Sequence, residues 1–166
     1  MRITRLNGLN ITADAQTIPD KIEIVCTANG AISVGKAVKI DVTDTSAYKV
    51  IEAAAAVANL PLVVGIYEGI GGSGAAAGTG YTGKAAVAND SILVTAYGKA
   101  TATVEGLASS AAGRRCIVGT AAAAGNLKVI GNEAAAADDK YVAPFVILEQ
   151  YQTTTAAAKA VFVRCL

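Results

Sequence analysis

Ile92-Leu-Val-Thr-Ala-Tyr-Gly98-Lys99-Ala-Thr-Ala-Thr-Val104 is the stretch that decides the fold class. Residues 92–97 are rich in the β-branched side chains that favour strands. Gly98-Lys99 reads as a tight turn. Residues 100–104 then set Thr101 and Thr103 against Ala102 and Val104, an alternation at the period of a strand. Two such runs about a glycine turn predict a β-hairpin.

The same pattern extends in both directions. Residues 22–27 alternate weakly and end in Asn29-Gly30, a strong turn signal. Residues 37–42 put Val38, Ile40 and Val42 on one face and Lys39 and Asp41 on the other, and a turn at 44–46 leads to a returning strand over 48–52. Residues 60–68 form a longer apolar run with Pro61 near its start, where proline marks the beginning of a strand or an edge. Residues 116–118 and 127–130 flank an Ala-Gly-Asn turn, and two apolar runs, 145–150 and 160–166, finish the chain. Short strands with frequent turns predict a mainly β fold, a barrel or sandwich formed by a single domain. The alanine-rich stretches 53–58 and 133–140 add one or two short helices, because alanine is the best helix former. Residues 1–20 show no clear period and end near Pro19, so they read as an extended N-terminal arm on a domain spanning 21–166. The loop at 69–83 contains so many glycines that its composition is that of a flexible segment.

The chain has 166 residues, which suits one domain and suffices to bury roughly 70% of the unfolded surface without disulfides or metal. Hydrophobic residues make up 53% and charged ones 16%, against about 25% charged in a typical soluble domain. Apolar surface that charge does not cover tends to be covered by a partner, so a homo-oligomer is expected. The formal net charge of +1 gives no basic stripe for nucleic acid, and Arg114-Arg115 reads as a solvated turn. The first residues lack the apolar core of a signal peptide, and no stretch has the length and purity of a membrane span. Synthesis in the cytosol is therefore expected. Cys26, Cys116 and Cys165 are odd in number, widely spaced and set in apolar runs, so they read as small buried hydrophobes.

Two glycine motifs invite a nucleotide reading and both fail. Gly69-Ile-Gly71-Gly-Ser-Gly74 matches G-x-G-x-x-G, with Asp90 near the place of a ribose-binding acid. That mechanism needs a helix opening at the loop, yet Gly78, Gly80 and Gly83 follow, each costing about 1 kcal/mol in a helix. Gly78 to Lys84 nearly spells a phosphate-binding loop, but Ala85 replaces the magnesium-binding Ser or Thr. Histidine is absent, which removes the commonest general base and zinc ligand. Asp138-Asp139, and Asp41 with Asp44, read as turn and surface carboxylates. The chain is accordingly expected not to be an enzyme, and to need neither cofactor nor metal.

The order of features resembles the capsid decoration, or cement, proteins of tailed bacteriophages. Ser33-Val-Gly-Lys-Ala-Val-Lys-Ile resembles their opening strand, and Val64-Gly-Ile-Tyr-Glu-Gly the next one. Residues 92–106 resemble their central hairpin. Ala112-Gly113, Gly125-Asn-Leu and the closing Ala-Val-Phe-Val-Arg-Cys-Leu match the later turns and terminal strand. The similarity spans residues 22–166, with the glycine loop and the alanine runs departing from it. It implies a β-barrel or β-tulip-like protein, a trimer on the outer surface of an icosahedral head, seated on the major capsid protein at local three-fold positions and bridging capsomers. No membrane or nucleic-acid partner is implied. Arg2, Ile3, Arg5 and Leu6 on the arm are the candidate assembly contacts: two positive charges and two apolar side chains near a terminus that could reach a neighbour. Another self-assembling surface or fibre subunit, and a carbohydrate-binding β module, are the alternatives. The second wants exposed Trp or Tyr platforms, whereas Trp is absent and the six Tyr are scattered.

Overall fold

The computed structural model describes residues 3–6, 9–12, 20–44, 49–53, 62–105, 115–118, 125–129, 144–149 and 155–166. These are mainly β, and no α-helix occurs among them. The two alanine-rich stretches expected to be helical lie outside the described residues, apart from Ala53, which is buried.

The decisive stretch is not a hairpin. It is one continuous strand, β7 (Ser91–Glu105), that runs straight through Gly98-Lys99. The positive φ of Gly98, +103°, is real, but it serves a bulge and not a reversal. Opposite it lies β3 (Lys21–Ala28), whose register with β7 shifts between Ile22 and Glu23. Ile22 faces Tyr97 and Glu23 faces Thr95, so Ala96 is the extra residue. Turn chemistry and bulge chemistry place the same glycine in a strand, which is why the local sequence reads as a turn. The alternation survives the bulge: Ile92, Val94, Ala96, Gly98, Ala100, Ala102 and Val104 are all buried.

The length of β7 lets it serve two rings of strands. Its first half joins β3, β5 (Lys49–Glu52), β4 (Lys36–Ile40) and β6 (Val63–Tyr67), with pairings that return to β7. Its second half joins β9 (Leu127–Val129), β8 (Arg115–Val118), β10 (Phe145–Ile147) and β11 (Ala157–Arg164), which again returns to β7. Each ring has its own core. Cys26, Val38, Val50, Tyr67, Ile92 and Val94 belong to the first. Ala102, Val104, Cys116, Leu127, Phe145, Ile147 and Val161 belong to the second.

Besides β7, two strands serve both cores. On β4, Ala37 belongs to the second cluster and its neighbour Val38 to the first. On β6, Ile66 and Tyr67 divide in the same way. Successive side chains point to opposite faces, so these strands have apolar contacts on both. The expected face of Val38, Ile40 and Val42 is corrected accordingly: Val38 is buried, but Ile40 and Val42 are exposed, because β4 ends and Asp41 turns inward. β6 is flanked by β4 and β7, so Pro61 precedes a central strand and not an edge.

The segment read as an arm contains a hairpin of its own. β1 (Ile3–Leu6) and β2 (Leu9–Thr12) pair antiparallel as a separate two-stranded sheet. Arg115, read as part of a turn, begins β8 opposite Val146.

Candidate functional site

The expected assembly contacts fall on the N-terminal hairpin. Ile3, Arg5 and Leu6 lie on β1 at register positions opposite Thr12, Asn10 and Leu9. Arg2 lies outside the described residues. The signal for this hairpin is Asn7-Gly8 between two apolar-polar runs, which an arm reading passes over.

Around β7 the polar side chains form tight internal contacts. Glu68, just after β6, accepts from Lys21 Nζ at 2.6 Å, from Thr95 Oγ1 at 2.8 Å and from the Thr101 backbone NH at 2.8 Å. Thr95 is buried beside the bulge, and this carboxylate satisfies its hydroxyl. Lys21 also pairs with Glu23 at 2.9 Å. Burial pushes the Lys21 ammonium down, but Glu68 and Glu23 outweigh it and hold the group above its ordinary value. Beside Glu68 is a cavity of about 100 Å³ lined by Gly80, Tyr81, Thr82 and Thr101. A space of that size admits water. Tyr81 spans its wall, with its hydroxyl 2.6 Å from Thr103 Oγ1.

The glycine loop is fastened along its length, which corrects the flexible reading drawn from composition. Gly74 NH donates to Ala85 O at 2.9 Å, Ala77 NH to Gly83 O at 3.0 Å and Lys84 NH to Gly69 O at 3.1 Å. The Tyr67 hydroxyl donates to Lys84 O at 2.6 Å. The glycines here permit backbone to pack on backbone: a Cβ on Gly71 would strike the Ser91 carbonyl. Asp90, the residue placed like a ribose-binding acid, clamps this loop instead. Its carboxylate accepts from the Ser73 NH and hydroxyl and from the Val87 NH, each at 2.8 Å. Those amides, Val87 foremost, hold it below the usual carboxylate range. Residues 84–90 form no helix, so the geometry a dinucleotide motif requires is absent there.

A second polar chain joins the rings. Lys36 Nζ donates to Asn126 Oδ1, and Asn126 Nδ2 donates to Glu105 Oε1 at 2.6 Å. Asn126 is buried. The turn carboxylates Asp41 and Asp44 are likewise engaged, Asp41 by Asn29 and Thr43 and Asp44 by Lys49 at 3.0 Å. Among the described residues no group of three or more His, Cys, Asp or Glu could hold a metal, and no helix is long and apolar enough to cross a membrane.

Several large apolar side chains are exposed among the described residues. Val25, Ile40, Val42, Ile70, Val87, Leu148 and Leu166 stand in solvent. Val25, 64% exposed, sits on β3 opposite Leu93, whose NH donates to Ile70 O at 3.1 Å. Val25 is the residue that sequence reasoning missed. Its signal is the pair Val25-Cys26, two consecutive apolar residues in a strand, which point to opposite faces.

Together these features define a mainly β single-domain protein whose polar groups brace a doubly ringed sheet. No family model matches the chain, and no curated protein matches it. A solved structure similar to it is the head fibre gp8.5 N base of bacteriophage phi29. The two are 9% identical, with 87% of this chain and 95% of that one covered and a TM-score of 0.46. At that score the likeness carries no argument about what this chain does.

Proposed function

We propose that this chain is a structural virion protein. It decorates an icosahedral phage head from outside as a homo-oligomer and stabilises the head by bridging capsomers of the major capsid protein. The observation that carries the reading is the division of side chains just described. Glu68, Glu105, Lys21 and Lys36 around β7 are tied into internal contacts, while Val25, Ile40, Val42 and Ile70 are left in water. A surface of that kind favours contact with other proteins over solvation. Modest apolar contacts suffice, because many identical copies on one lattice sum their effects. Such work needs no catalytic group and no cofactor. The resemblance of the strand series to cement proteins gives the reading its particular form.

Electron microscopy tests it. Particles purified from cells that express this chain with its phage are probed with an antibody to the chain. Label distributed over intact heads is the expected result. Label confined to tails, or chain recovered only free of particles, would overturn the reading.

A further inference from the structure

β3 has two edges, and one of them is largely open. Along the first, residues from Lys21 to Thr27 pair with β7. Along the second, among the described residues, only Thr27 and Ala28 have a strand partner, in β5. Hydrogen bonds at the end of the strand show which backbone groups this leaves. The Ala28 NH donates to Asp90 O at 2.9 Å, so even-numbered residues of β3 turn their amides toward β7. The Asn29 NH donates to Val50 O at 2.9 Å, so odd-numbered residues turn away. The bulge adds its residue to β7 and leaves the alternation of β3 intact. Glu23 and Val25 therefore present NH and C=O groups to an edge that no described strand covers. Edges of this kind are usually short, charged or capped. This one belongs to an eight-residue strand reading Ile-Glu-Ile-Val-Cys, with Val25 exposed beside it.

The occupant that such an edge fits is an extended strand, joined through backbone hydrogen bonds. Two observations choose among possible strands. β1 and β2 pair only with each other among the described residues, so each keeps an outer edge of its own. Within one chain this hairpin approaches β3 without pairing to it. Charge is the second observation. Residues 1–12 carry Arg2 and Arg5 and no acid, while the open end of β3 gathers Asp20, Glu23 and Glu68 around Lys21 alone. A basic hairpin and an acidic edge are complementary.

We propose that the open edge of β3 accepts a strand of the N-terminal hairpin of a second copy of this chain. The proposal rests on the self-assembly reading above and names its surface and its occupant. Four-residue β1, which carries Arg5, fits within the open stretch of β3 before Thr27. Because donor and acceptor surfaces differ, the contact is head-to-tail and closes into a ring if the rotation allows.

Light scattering coupled to size exclusion is run on the wild type, Val25→Pro, Val25→Thr and a chain lacking residues 1–12. Proline at 25 removes an outward amide and spares the β3–β7 ladder. The wild type and Val25→Thr are expected to be oligomeric, and the proline variant and the truncated chain monomeric at the same concentration. Residue-resolved hydrogen exchange supplies a second readout: the Glu23 and Val25 amides should exchange roughly a hundredfold slower in the oligomer than in the truncated monomer. This readout decides alone if the proline variant misfolds. An oligomer that survives both changes overturns the proposal and leaves the self-assembly reading standing. Loss on Val25→Pro with an intact truncated oligomer overturns the hairpin as occupant. Protection of both amides in a monomeric wild type would mean that the hairpin pairs within its own chain. A monomeric wild type with both amides unprotected would sink this proposal and the self-assembly reading together.

Discussion

Gly98 holds φ at +103° in the middle of the longest strand, a region of the backbone map that a side chain resists. Space is lacking as well. A Cβ there would meet the Asp20 carbonyl and lie 2.9 Å from the Lys21 Cα. Gly98→Ala is therefore expected to cost about 2–4 kcal/mol. Denaturant unfolding should show a lower midpoint with an unchanged slope; an unchanged midpoint would mean that the bulge is not held by this glycine. Asp90 makes a different prediction, through pH. Its carboxylate is held below the usual range in the fold by the Val87 and Ser73 amides. A depressed folded value contributes stability above the unfolded pKa, and that stability is lost as pH falls through the folded one. The Tm of the wild type should thus fall on acidification below the usual carboxylate range. Asp90→Asn should melt lower at neutral pH and converge with the wild type in acid. Some slope will remain in the variant, because Asp41 is also held down, by the Thr43 hydroxyl, Asn29 and the Thr43 amide. Parallel curves for the two chains would show that the clamp contributes nothing.

Among the elements, β10 is only three residues long, yet two of them, Phe145 and Ile147, are fully buried in the second core. Phe145→Ala should cost about 3–5 kcal/mol, measured by chemical unfolding; a loss under 1 kcal/mol would mean that the second core repacks around the gap. Such strands were legible in the sequence because the period of two shows through their burial, as it does toward the ends of β3 and β11. The cysteine reading holds for Cys26 and Cys116, whereas Cys165 is half-buried. Cys26 and Cys116 are buried in different cores, and burial pushes the Cys116 and Cys165 thiols up to about 12. Where the reading failed, long-range packing overrode local signals. Gly98-Lys99 has turn chemistry, but β3 on one side and β11 on the other hold the strand straight. Ala37 and Val38 are both buried because β4 has a core on each side, which alternation along one strand cannot report. The glycine loop looks mobile in composition, and only the nearness of Ser91, Lys84 and Ala85 shows its glycines to be sites of close packing. Of the candidate contacts, Ile3, Arg5 and Leu6 lie on β1, whose pairing partner, β2, was missed with the Asn-Gly signal.

At the scale of the whole molecule, two cores do not mean two independent units. β7 supplies a wall to each, and β4 and β6 contribute to both. Opening one ring would strip apolar contacts from the other, so heat unfolding should be a single transition. Calorimetric and van't Hoff enthalpies should agree; two resolved peaks would show that the rings melt separately. Sharing one strand also has a kinetic consequence. The partners of β7 come from far before it, at Lys21 to Thr27, and far after it, at Ala157 to Arg164. Closing such distant loops precedes the contacts that reward them, which makes folding slow. Until both partners arrive, a fifteen-residue strand of alternating Ile, Val, Ala and Thr waits with bare edges, in the form most prone to pairing with other unfinished chains. Yield on expression should therefore depend on how fast chains accumulate relative to how fast they fold.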